Sequence, residues 1–108
     1  MNVKEIKAAE LARRIREGLG ACLVDVREES EWALARLPEA RLIPLSVFGA
    51  RALSELNTSD EIIVYCHHGV RSERASMYLI QNGFDKVSHL AGGIDAWSLE
   101  VDSSVKRY

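Results

Sequence analysis

The stretch IIVYCHHGVRSERASMYLIQNG, Ile62–Gly83, decides the fold. Its opening residues form a short, continuous apolar run. A strand covered on both faces of a sheet needs that composition, because neither face meets water. One cysteine, Cys66, ends the run, and a polar turn containing Gly69 follows. Beyond the turn, Ala75, Tyr78 and Leu79 recur at helical spacing, and Gly83 provides a natural stop. The spacing predicts a strand over 61–66 and a helix beginning at Ser72. A thiol therefore sits where a buried strand ends and a helix begins, with Arg71 and Arg74 just beyond it.

The same alternation extends in both directions. Upstream, Val3–Ile6 reads as a short strand. Ala8, Leu11, Ala12 and Ile15 then give an amphipathic helix over 7–17, with Gly18 and Gly20 as its stop. ACLVDV (21–26) is a second buried strand. EESEWALAR (28–36) reads as a short helix closed by Pro38, since the residue before a proline is driven out of helical geometry. ARLIPL (40–45) is a strand whose ladder is limited by Pro44, and SVFGARALSEL (46–56) reads as a helix weakened by Gly49. Downstream, KVSHLAGG (86–93) is a strand running into a glycine turn, and GIDAWSLEV (93–101) is a last helix. The tail, DSSVKRY, has no core pattern. Strands alternating with helices predict an α/β fold, with a central parallel sheet of about five strands and helices on both faces. A chain of 108 residues fits one such domain, with a core over about 4–101.

Composition narrows the function. The net charge is −2, so bulk electrostatics give no support to a nucleic-acid or membrane-surface partner. No apolar run approaches the roughly 20 residues of a membrane span, and the N-terminal stretch lacks a signal peptide's apolar core. With only two cysteines, Cys22 and Cys66, a reduced cytoplasmic setting is the expectation. Cys22 lies inside an apolar run and reads as a small packed hydrophobe. No metal is expected: there is no CxxC pair, and His67 and His68 are adjacent rather than spaced for one helix face.

Cys66 is different because of its place. In an open α/β sheet, ligands bind outside the carboxyl ends of the strands. The loop after Cys66 runs into a helix N-terminus, whose first N–H groups lack intrahelical partners. Curled around the sulfur, these donors would form an anion-binding nest, reinforced by the helix dipole. His67, His68, Arg71 and Arg74 supply possible cations. Such surroundings lower a thiol's pKa, and a thiolate is a nucleophile without a separate general base. The bland alternative makes Cys66 merely the last residue of a buried strand.

Four segments together, LVDVREESEW, IIVYCHHGVRS, GF and the run V-S-HLAGGIDAW, resemble the rhodanese domain from about Ile6 to Trp97. The resemblance rests on D-V-R after the second strand, C-x-x-G-x-R-S at the loop and L-x-G-G-x-x-x-W near the end. It implies a thiosulfate sulfurtransferase with no metal or organic cofactor. In that reading Cys66 takes the outer sulfur of thiosulfate or another sulfane donor as a persulfide. Cyanide or a cellular thiol such as thioredoxin or glutathione then removes it. Amides of the loop His67, His68, Gly69, Val70, Arg71 and Ser72 would hold the persulfide, and Arg71 would attract the oxyanion. A binding or regulatory module of the same fold, or a sulfur-relay carrier, is the alternative.

Cysteine phosphatases of related architecture carry C-x5-R. Here the arginine comes one position earlier, and the shorter loop suits one sulfur atom better than a tetrahedral phosphate. The chain departs from the family at Arg36-Leu37-Pro38-Glu39-Ala40, where the family often shows H-I-P-G-A. Asp25 and Arg27 read as a hydrogen-bonded structural pair, Arg36 as solvated, His67 and His68 as solvent-facing, and His89 as a strand residue with a satisfied ring. Gly92 and Gly93 read as the turn into the last helix, Trp97 as core and Trp32 as partly exposed.

Overall fold

In the structure, a computed structural model that describes residues 3–108, the apolar segments pair side by side as parallel strands. The strands are β1 (Lys4–Ile6), β2 (Cys22–Asp25), β3 (Ala40–Leu42), β4 (Ile62–Tyr65) and β5 (Val87–Leu90). They form one sheet in the order β1-β5-β4-β2-β3, so β4 lies at the centre. All residues of β4 are buried, as its unbroken apolar composition requires. The edge strands β1 and β3 carry exposed residues.

Helices cover both faces. On one face, α3 (Phe48–Glu55) and α4 (Val70–Gln81) pack Phe48, Ala52, Ala75 and Leu79 against Val24, Ile62 and Val64. On the other, α1 (Ala8–Arg16) and α5 (Gly93–Glu100) pack Leu11, Ile94 and Trp97 against Leu23, Ile63 and Tyr65. Alternation along β4 sorts Val64 and Cys66 to the first face and Ile63 and Tyr65 to the second. Among the described residues, no helix is long and apolar enough to cross a membrane.

Several boundaries shift from the sequence expectation, each for a local reason. α4 begins at Val70 rather than Ser72, because Gly69, at φ 125°, already turns the chain into it. The third strand stops at Leu42, and Leu45–Val47 wind as a 3₁₀ turn after Pro44. The second helix, α2 (Glu29–Leu34), ends before Arg36. A capping box between Glu28 and Glu31 holds its start. At Glu39, where the family's motif often has glycine, the backbone is left-handed, with φ 65°. The tail beyond α5 folds back: Val105 packs on the second core, and Tyr108 reaches the carboxyl end of the sheet.

Candidate active site

Cys66 leaves the end of the central strand, and the chain from Cys66 to Gly69 bends back over it. Two backbone donors converge on its sulfur: the Gly69 amide at 3.1 Å and the Ser72 amide at 3.3 Å. Both belong to the start of α4, where the helix dipole is positive. Cys66 is 1% exposed, yet the neighbouring amides turn toward it, which distinguishes it from a packed hydrophobe. Cys22, by contrast, is half-buried among apolar neighbours, and burial pushes its thiol pKa up.

The loop is held in this shape from behind. The first turn of α5 donates to it: the Ile94 amide reaches the Cys66 carbonyl at 2.9 Å and the Asp95 amide the His67 carbonyl at 3.2 Å. With these two carbonyls drawn to one helix N-terminus, the following amides are left for the sulfur. Gly93 permits this approach. A Cβ there would press into the Cys66 and His67 carbonyl oxygens, and its φ is 62°. The glycine pair is thus more than a turn.

Arg71 is not free. Its guanidinium makes a bidentate pair with Glu31, at 2.6 and 2.8 Å. This pair and a hydrogen bond from Tyr108 (2.7 Å) hold the Glu31 carboxyl down to about 2, against the opposing effect of burial. The Tyr108 ring stacks on His67 at 3.9 Å, and His67 lies equally close to His68. Burial, then the neighbouring His68, lowers the His67 pKa. His68 is exposed, with Asp95 3.9 Å away. Arg74 is exposed on α4.

Asp25 and Arg27 are fully buried and joined at 2.6 Å. Arg27 also donates to the Ala35 carbonyl at 2.6 Å and to the Tyr108 hydroxyl at 2.9 Å. The pair therefore anchors the segment that carries Glu31, a structural role as the sequence suggested. Burial works against the Arg27 charge, but the bonds to Asp25 and Tyr108 outweigh it and raise its pKa. Arg36 is exposed and lies over the Trp32 ring at 4.5 Å. Trp97 is core, with its indole N–H buried and unpartnered among the described residues.

The sequence reading placed His67, His68, Gly69, Val70, Arg71 and Ser72 around Cys66; the structure turns the Gly69 and Ser72 amides onto the sulfur, while the Arg71 side chain pairs with Glu31. Val70 is exposed at the first position of α4. Glu31 and Tyr108 went unnoticed. Their only signal was a carboxylate in a short helix facing an arginine 40 residues on, and an aromatic in a patternless tail.

The sequence matches the family described as Rhodanese-like domain over residues 7–100. A protein named Sulfurtransferase from Allochromatium vinosum is 35% identical over 96 residues, 89% of each chain. Thiosulfate sulfurtransferase GlpE of Actinobacillus pleuropneumoniae is 35% identical over 81 residues, covering 75% of this chain and 74% of that one. The crystal structure of a rhodanese-like domain protein from Staphylococcus aureus superposes with a TM-score of 0.83 at 31% identity. That match covers 98% of this chain and 99% of the other.

Proposed function

The chain belongs to the rhodanese-like domain family, and from that premise we propose that it moves sulfane sulfur through a persulfide on Cys66. The observation that carries this is the pair of amides, from Gly69 and Ser72, donating to a sulfur at the N-terminus of α4. Donors arranged in advance around a sulfur favour its anion over the thiol, and the anion is the nucleophile.

In the first half-reaction the Cys66 thiolate attacks the outer sulfur of thiosulfate. A Cys66–sulfur bond forms, the donor's S–S bond breaks, and sulfite leaves with the bonding electrons. The amides of Val70 and Arg71, at the open first turn of the same helix, suit the added sulfur. In the second half-reaction cyanide, or the thiolate of glutathione or thioredoxin, attacks the outer persulfide sulfur. Cys66 departs as thiolate, so the kinetics are ping-pong. Two unpaired cysteines suit a reduced, cytoplasmic setting.

A second reading has one observation in its favour. The sulfur is nearly covered and the Arg71 charge is already engaged by Glu31, as a relay or regulatory module opened by a partner protein would have it. Mass spectrometry separates the two. Protein mixed with thiosulfate should gain the mass of one sulfur atom, lose it to cyanide, and gain nothing as Cys66→Ser. No gain from any sulfane donor would leave the module reading alone.

A further inference from the structure

A polar chain also leads from Cys66 into the sheet. β5 lies beside β4 with Val64 opposite His89, and β1 lies beside β5 with Glu5 opposite His89. Side chains alternate along each strand, so Cys66, His89 and Glu5 fall on one face, the face under α4. Ser72 on the first turn of α4 closes the gap. Its hydroxyl lies 3.5 Å from the Cys66 sulfur and 2.9 Å from His89 Nδ1, and it also reaches the Gly69 carbonyl at 3.1 Å. On the far side of the ring, His89 Nε2 lies 3.6 Å from a Glu5 carboxylate oxygen. That nitrogen is buried, with no hydrogen-bond partner among the described residues, and the His89 side chain is 5% exposed. The sequence reading of a satisfied ring therefore holds at Nδ1 but not at Nε2.

We propose that His89 is a positioning residue that takes the Cys66 proton through Ser72, with Glu5 holding the cation formed. The Cys66 S–H bond breaks, its proton goes to Ser72 Oγ, and the hydroxyl's own proton passes to His89 Nδ1. The imidazolium then donates through Nδ1 to Ser72 and through Nε2 to Glu5, while the Ser72 hydroxyl donates back to the sulfur anion. One negative charge has formed on sulfur and one positive charge on the ring, so atoms and charge balance. The Gly69 carbonyl is an alternative acceptor for the single Ser72 proton, so the relay runs from the orientation in which the hydroxyl donates to His89 Nδ1 instead.

Other charged groups face this chain. His68 from the loop and Glu73 from α4 line a shallow cleft with Glu5, His89 and Gly92. Asp95 from α5 stands behind His68, and Arg71 acts on the sulfur as a cation already paired with Glu31. Glu5 is the carboxylate within 4 Å of the ring nitrogen. It is also largely exposed, which makes it a clean probe.

The proposal rests on Cys66 as the reacting thiol, yet its test needs no sulfur donor, so it can fail while sulfur transfer stands. The rate of Cys66 alkylation by iodoacetamide is followed against pH in the full chain, by mass spectrometry of the Cys66 peptide. Glu5→Gln removes charge at an exposed position, and His89→Asn keeps a polar partner for Ser72 without a proton acceptor. Removing the cation or its counter-charge disfavours the thiolate, so both midpoints should rise. The expected shifts are about half a pH unit for Glu5→Gln and about one unit for His89→Asn, or about threefold and tenfold slower alkylation below the midpoint. An unmoved midpoint in either variant, with thermal unfolding unchanged, overturns the proposal.

Discussion

Glu31 decides what Arg71 can do. Left alone, a guanidinium beside the thiol would attract a doubly charged donor. Paired at 2.6 Å with Glu31, it would, on the proposed sulfur-transfer reading, have to exchange one carboxylate for the incoming anion. Acid does not release it near neutral pH. A carboxyl held well below its ordinary value contributes stability that is complete above about 4.5 and is lost only as pH falls toward about 2. Substitution can release it. A partly exposed pair is worth up to ~1 kcal/mol, or about fivefold in affinity. Glu31→Gln should therefore lower the KM for thiosulfate about fivefold with kcat little changed, in a steady-state cyanide assay. A raised KM would mean that Glu31 holds Arg71 in place rather than competing for it.

At the scale of elements, two helix N-termini share one loop. α4 offers its amides to the Cys66 sulfur, and α5 takes the loop's carbonyls. Neither alone would orient the peptide units, because each unit carries a donor and an acceptor that both need partners. Gly93 is where the two helices' demands meet. Alanine there would need a left-handed backbone and would collide with two carbonyl oxygens. Left-handed geometry costs roughly 1–2 kcal/mol and overpacking roughly 1–3 more. Gly93→Ala should thus lower stability by at least ~2 kcal/mol in denaturant unfolding. Alkylation of Cys66 should slow as the amides turn away. Wild-type stability in this variant would show that α5 can retreat without cost.

Across the whole molecule, the tail closes a long circuit. Tyr108 accepts from Arg27, donates to Glu31 and stacks on His67, joining residues up to 81 positions apart. Tyr108→Phe keeps the ring and removes both hydrogen bonds. A net loss of about 1 kcal/mol is expected, which in a domain of this size lowers Tm by about 4 °C. An unchanged Tm would show that water replaces the hydroxyl fully.

Much of this architecture was written in local pattern. The apolar run at Ile62–Tyr65 had to be a doubly covered strand, and the glycines at 69 and 83 bounded the helix between them. Alternation of such units leaves little choice but a parallel sheet. The amide cradle around Cys66 was legible for the same reason: strand end, glycine turn and helix start are contiguous, so their geometry follows from neighbours in the chain. The pairing of Asp25 with Arg27, two residues apart, was legible as well.

What only the tertiary structure decided is which distant groups meet. Strand order set Glu5 beside His89 and His89 beside Val64, and no spacing in the chain encodes that order. Folding brought Glu31 of α2 onto Arg71 of α4, and the returning tail brought Tyr108 onto both its partners. Backbone preference and hydrophobic period act over a few residues and can be read from the sequence. Charge pairing and proton paths depend on contacts between residues far apart in the chain, and these exist only once the core has closed.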